Sequence, residues 1–159
     1  MTLRIGWFTT ARGPGSRAMY EAVTRAVATG DLDATFAFVF CNRDPGEDPI
    51  TDSFLRLVEA NAHPLVTKSS VGYRKAVGGR VSRPGRPLPE WRTRYDAEVE
   101  AALAAHPFDV GVMAGYMLIF EREFVSRHVI LNLHPALPTG PAGTWREVIR
   151  HLIRTGARE

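Results

Sequence analysis

Two short stretches of this 159-residue chain hold side chains whose types and spacing could do chemistry. Asn132-Leu133-His134-Pro135 reads as a strand end. Residues i and i+2 of a strand share a face, so Asn132 and His134 converge while Leu133 packs inward. An amide donor beside an imidazole suits a reaction at a carbonyl: imidazole titrates near neutrality and can give up a proton, and both groups can hydrogen-bond a developing oxyanion. The same pair also reads as a strand-end histidine with an asparagine closing a turn before Pro135. The second stretch is Gly13-Pro14-Gly15-Ser16-Arg17. Its glycines let the backbone approach a ligand closely, the free N–H groups of a helix start favour an anion, and Arg17 could add a bidentate phosphate contact. It lacks the Gly-Lys-Ser/Thr of a P-loop and the six-residue GxGxxG, and a tight turn before a capped helix explains it equally well. The five histidines form no HxxxH or HxH pair and the one cysteine, Cys41, gives no cluster, so no metal site is expected. A GxSxG elbow is absent, which removes serine-hydrolase logic.

The elements that must position these groups follow from apolar spacing. Ile5–Thr9 is a short buried-strand run. Met19, Ala22, Val23, Ala26 and Val27 then recur at helical spacing, with Ser16 as the expected N-cap and Gly30 as the stop. Ala34–Cys41 is a second strand, Asp52–Ala60 a helix, and Leu65–Thr67 a third, short strand. Residues 68–89 contain four Gly and three Pro and show no period, so a loop or insertion is expected there. Trp91, Tyr95, Val99 and Leu103 form the stripe of a long helix, which makes Trp91 and Tyr95 core rather than nucleobase platforms. Val110–Ala114 and Val129–Leu133 are two further strands, with a short helix over Phe120–Ser126 between them. A last helix carries Val148, Ile149, Leu152 and Ile153 and ends near Gly156. This alternation predicts an α/β fold, a doubly wound, mainly parallel sheet flanked by helices. In such sheets ligands bind at the carboxyl ends of strands, where the two stretches above and Gly115-Tyr116-Met117 gather.

Composition narrows the class. The chain is 45% hydrophobic and 23% charged, ordinary for a globular protein, and its length suits one domain spanning 1–159. No apolar run reaches the roughly 18 residues of a membrane helix, and Met1-Thr2-Leu3-Arg4 does not read as a signal peptide. One cysteine cannot form an internal disulfide, so a reducing, cytoplasmic setting is expected. Charge is uneven. The window Lys68–Arg94 holds eight bases against Glu90 and carries +7, which leaves −4 for the rest of the chain. Such a window collects anions, or is a solvated loop.

Read together, Ala114-Gly115-Tyr116-Met117, Phe124-Val125-Ser126 and Asn132-Leu133-His134-Pro135-Ala136-Leu137-Pro138 resemble the formyltransferase family that uses 10-formyltetrahydrofolate, its glycinamide ribonucleotide branch above all. Gly13–Arg17 is similar to that family's phosphate loop, and Arg92-Thr93-Arg94-Tyr95-Asp96 to its Arg-x-x-Tyr-Asp helix start. The basic segment at about 70–89 lies outside the resemblance. The resemblance implies a Rossmann-like formyltransferase fold, with His134 as the catalytic histidine and Asn132 as the amide on the formyl oxygen. It implies that Gly13, Gly15, Ser16 and Arg17 hold a substrate phosphate. Arg92 and the Met117, Leu118, Ile119 and Phe120 backbone would hold folate. The implied reaction is attack of a substrate amine on the formyl carbon, with tetrahydrofolate leaving. The expected partners are folate and a small phosphorylated amine, with no membrane; nucleic acid is not the expected partner, although an amino sugar or aminoacyl-tRNA is the alternative acceptor and a non-catalytic binding module the alternative role. Pro14 and Arg17 stand where the family has asparagines, Leu118 where the purine enzyme has Arg, and Ala136-Leu137-Pro138 is one residue short. The resemblance also places a catalytic aspartate in a segment after Glu159. Hence the 159 residues alone are expected to show no formyl transfer and to leave a sheet edge free for a homodimer.

Overall fold

The computed structural model describes residues 1–82, 87–134, 136–137, 139–141, 143 and 145–156. Five strands, β1 (Leu3–Thr9), β2 (Ala34–Cys41), β3 (Leu65–Thr67), β4 (Val110–Met113) and β5 (Ile130–Asn132), form one sheet in the order β3-β2-β1-β4-β5. Every pairing is parallel. The helices are α1 (Pro14–Thr29), α2 (Pro49–Ala60), α3 (Ser70–Ala76), α4 (Trp91–Leu103), α5 (Arg122–Arg127) and α6 (Trp145–Thr155). The expected doubly wound α/β architecture is therefore the observed one.

The sheet is covered on both faces, which is why its strands read as continuous apolar runs. One face packs Ile5, Trp7, Phe36, Val39 and Cys41 with α1 and α2 through Tyr20, Phe54 and Val58. The other packs Phe8, Phe38 and Phe40 with α4 and α5 through Tyr95, Val99 and Phe124. The pairing register slips between Ile5 and Gly6, so Ile5 faces Phe36 but Gly6 faces Phe38. That extra residue resets the alternation of β2 and turns Phe38 to the α4 side. Gly6 makes room for it: a Cβ there would come within 2.5 Å of the Phe38 ring.

Four expectations need correction. Ser16 is not the N-cap of α1. Gly13 is, in extended conformation and with no side-chain cap, and Pro14 starts the helix where a missing N–H costs nothing. α2 starts at Pro49 rather than Asp52, because the Asp48 carboxylate accepts from the N–H groups of Ile50 and Thr51. Residues 70–76 of the expected loop are helix α3, a short element without an apolar stripe whose start is fixed by Ser69 Oγ accepting from Gly72 N at 2.8 Å. Arg83–Arg86 of that segment lie outside the described residues. Finally, Leu133 does not pack inward: β5 is an edge strand that stops at Asn132, and Leu133 is 53% exposed.

Candidate active site

β1, β4 and β5 are neighbours, and their carboxyl ends lie level, with Phe8 paired to Met113 and Met113 to Asn132. The segments after them therefore meet at one edge of the sheet. Hydrogen bonds tie them together. Thr10 N donates to Gly115 O at 3.1 Å, Met117 N donates to Thr10 Oγ1 at 2.9 Å, and Leu133 N donates to Met113 O at 3.2 Å. Ser16, in the first turn of α1, packs directly on Gly115, whose φ of +70 suits glycine and whose missing Cβ leaves the space Ser16 occupies. Ala11 also has a positive φ, 53, in the tight turn between β1 and the glycine stretch; its N–H donates to Thr9 Oγ1 at 3.1 Å and its carbonyl accepts from Thr51 Oγ1 at 3.3 Å.

The start of α1 keeps its positive end open. No acid lies in its first turn, and a Cβ on Gly13 or Gly15 would meet nothing within 4 Å, so both glycines border open space. Arg17 does not reach across toward β5 here. Its guanidinium donates to Glu21 at 2.8 Å and to Ser53 Oγ at 3.3 Å, beside a cleft of about 360 Å³ between α1 and the start of α2.

Arg92 is placed behind the 117–120 segment rather than in front of it. Its side chain is 1% exposed, and it donates to Ile119 O at 2.6 Å with the Asp96 carboxylate 3.5 Å away. The same carboxylate accepts from Glu121 N at 2.8 Å. Burial pushes the Asp96 carboxyl up, against the Glu121 N–H and the Arg92 charge that hold it down. The pair thus grips the loop on both sides of Phe120. The Arg92 guanidinium thus holds the backbone of the very segment expected to bind folate. Within the segment, Phe120 is core and stacks on Tyr116 and Phe124, whereas Met117 and Ile119 are 59% and 71% exposed. Leu118 is half-buried against the α4-side core.

Asn132 and His134 are both exposed, and His134 lies beyond the last residue of β5. The strand-alternation argument therefore does not fix them on one face. His134 Nε2 lies 3.2 Å from Pro141 O, so Nε2 carries the proton in that contact. Pro135 and Pro138 of the motif lie outside the described residues. Of the two residues that lock this edge, Asp96 belongs to the Arg-x-x-Tyr-Asp helix start quoted above, whereas Thr10 was not singled out from the sequence. For Thr10 the only signal is a second threonine after an apolar strand; Asp96 is one turn past Arg92. Among the described residues, no three His, Cys, Asp or Glu side chains gather as a metal site would need.

A family model described as formyl transferase matches residues 13–159. No curated protein matches the chain in sequence. Among solved structures, glycinamide ribonucleotide transformylase 1 from Symbiobacterium toebii is similar at TM-score 0.70 and 22% identity, covering 98% of this chain and 61% of its own. The phosphoribosylglycinamide formyltransferase of Coxiella burnetii is similar at TM-score 0.67 and 17% identity, over 98% of this chain and 61% of its own. A formyltetrahydrofolate deformylase from Pseudomonas syringae pv. tomato reaches TM-score 0.66 at 18% identity, over 99% and 43%. The chain thus spans about three fifths or less of the length of these relatives.

Proposed function

The chain belongs to the formyl transferase family, and on that premise we propose that it supplies the donor-binding and catalytic edge of an enzyme that moves a formyl group from 10-formyltetrahydrofolate to an amine, glycinamide ribonucleotide of purine synthesis. The observation that carries this reading is the tie of Thr10, Gly115 and Met117 at the sheet edge where β5 delivers Asn132. The 117–120 segment fits a flat, partly apolar ligand: its backbone is held from behind by Arg92 and Thr10, while Met117 and Ile119 stay in solvent.

The folate brings the formyl carbon. From this chain, the Asn132 amide and the His134 imidazole donate to the formyl oxygen. His134 leaves the Pro141 carbonyl to do so and keeps its Nε2 proton on the developing oxyanion, while the proton lost by the attacking amine passes through water to the folate nitrogen that departs as its bond to the formyl carbon breaks. The open N–H groups at Gly15 and Ser16 take the acceptor's phosphate, and Arg17 joins them by releasing Ser53. Cys41 takes no part: it is buried, burial pushes its thiol up to about 12, and such a thiol is compatible with a reducing cytoplasm.

The test follows donor consumption with glycinamide ribonucleotide, an amino sugar, aminoacyl-tRNA or no acceptor, in the protein carrying the aspartate-bearing segment that the resemblance places after Glu159. We expect formylated glycinamide ribonucleotide, and His134→Ala should cut the rate by about 10²–10⁴ without unfolding. Formylation of another amine moves the acceptor. Formate released without any acceptor reassigns the reaction to hydrolysis, the activity in the name of one structural relative. Binding of a formyl-folate without consumption makes it a binding module. An unchanged rate in His134→Ala overturns the role given to that residue.

A further inference from the structure

The start of α2 braces the glycine stretch at both of its ends. Ahead of the stretch stands Ala11, at φ 53, in the left-handed region that glycine enters freely and alanine does not. Two hydroxyls hold its peptide groups there. Its N–H donates to Thr9 Oγ1 at 3.1 Å, and its carbonyl accepts from Thr51 Oγ1 at 3.3 Å. Ala11, Thr9 and Thr51 are all buried. Thr51 lies in the first turn of α2 and is fixed in its turn, because the Asp48 carboxylate accepts from Ile50 N at 3.0 Å and from Thr51 N at 3.1 Å. Behind the stretch, the Arg17 guanidinium rests on Ser53 Oγ of the same helix at 3.3 Å. In the reading above Arg17 gives up that contact for the phosphate, which leaves Thr51 as the tie that stays.

The left-handed conformation disfavours an alanine roughly tenfold, so Ala11 keeps it only while its surroundings hold it there. Rotation about the Ala11 N–Cα bond moves the residues that follow and leaves those before it in place. A change at Ala11 therefore redirects Gly13–Ser16, whereas Thr10 keeps its bonds to Gly115 and Met117. Only the fraction of molecules with the left-handed turn presents the Gly15 and Ser16 N–H groups as drawn, and the apparent affinity for an anion falls with that fraction. We propose, resting on the phosphate reading of the glycine stretch above, that Thr51 is a positioning residue for the acceptor's phosphate: its hydroxyl holds Ala11 left-handed, and Ala11 aims the N–H groups of Gly15 and Ser16.

The experiment titrates the protein by calorimetry with glycinamide ribonucleotide, with inorganic phosphate and with a stable formyl-tetrahydrofolate analogue. Thr51→Val, which keeps the shape and removes the hydroxyl, should bind both phosphate ligands about three- to tenfold more weakly and the folate analogue as the parent does. Thr51→Ser restores the hydroxyl and should return both affinities to within about twofold of the parent. In the Ala11→Gly background Thr51→Val should cost less than about twofold, because glycine holds a positive φ without help. An undiminished phosphate affinity in Thr51→Val, even with a lower melting temperature, makes Thr51 structural alone and overturns the proposal. An equal loss in both backgrounds overturns the route through Ala11, and an equal loss of folate binding overturns the assignment to the phosphate. If Thr51→Val does not fold, Ala11→Gly/Thr51→Val decides: it should fold and bind phosphate within about twofold of Ala11→Gly, and failure in either respect overturns the proposal. Absence of phosphate and glycinamide ribonucleotide binding in the parent overturns the phosphate reading and this role with it, whereas parent binding that Thr51→Val retains overturns this role alone.

Discussion

Gly115→Ala is the sharpest probe of the edge that joins the strand ends. Gly115 has φ +70, and an added Cβ would run into Ser16 Oγ and sit 3.3 Å from Ser16 Cβ. Two costs follow. Holding a non-glycine residue in the left-handed region costs about 1–2 kcal/mol. The Ser16 hydroxyl can rotate away, but its Cβ and the helix behind it cannot, which adds about 1 kcal/mol of overpacking. The expected loss is thus about 2–3 kcal/mol, a sizeable part of a domain stability of about 5–15 kcal/mol. Urea denaturation followed by tryptophan fluorescence reads it as a lower midpoint with unchanged slope. Ser16→Ala in the same background should return at most about 1 kcal/mol, because it removes the hydroxyl but leaves the φ cost. Since Gly115 O accepts from Thr10 N, the strained variant should also bind a formyl-folate less tightly than its residual stability would predict. A loss below about 0.5 kcal/mol would refute the contact and the conformational cost together.

Arg92→Met should destabilise by about 3–5 kcal/mol, because it leaves the Asp96 carboxylate and Ile119 carbonyl buried without their cation; faster hydrogen exchange at Glu121 N–H should mark the loosened loop, and unchanged exchange there would contradict the clamp. His63, which lies 2.7 Å from the Tyr20 hydroxyl and stacks on Phe36, has its pKa lowered by burial, so the unfolded chain takes up the proton first as pH falls. Its contribution is full above about pH 6.5 and lost below it; the melting temperature should drop from pH 7.5 to pH 5 by less in His63→Phe than in the parent, and equal drops would contradict this. Exposed Leu131 on the edge strand and Trp145, Ile149 and Ile153 along α6 should drive self-association of the 159-residue chain that Leu131→Lys disperses; light scattering that shows a monomer for the parent would remove the claim.

The sheet was legible in the sequence because its central strands β1 and β2 are buried on both faces. Ala34–Cys41 and Leu65–Thr67 stand where their unbroken apolar runs put them. α4 was legible from one stripe, since Trp91, Tyr95, Val99 and Leu103 all end in the core. α3 was hidden because its residues give no apolar period, and its existence depends on Ser69 capping and on Tyr73 packing against Trp91 and Tyr95. The bulge at the Ile5/Gly6 register was hidden as well, because only the partner strand reveals that Phe38 needs the space over Gly6.

The site was legible in a different way. Spacing identified which strand ends would gather, since that follows from the parallel topology alone. It could not tell which side chains at those ends face a ligand and which hold the backbone that does. Arg92 shows the difference. As a residue type in a basic window it suggests an anion contact, yet the apolar stripe that buries α4 takes its side chain inward, where the nearest acceptors are Asp96 and a loop carbonyl. The basic window therefore divides between two jobs. Arg92 spends its charge inside, fixing the 117–120 segment, while Arg80 and Arg94 keep theirs in solvent at the mouth of a cleft. Burial, not the count of bases, decides which charge remains available to a ligand.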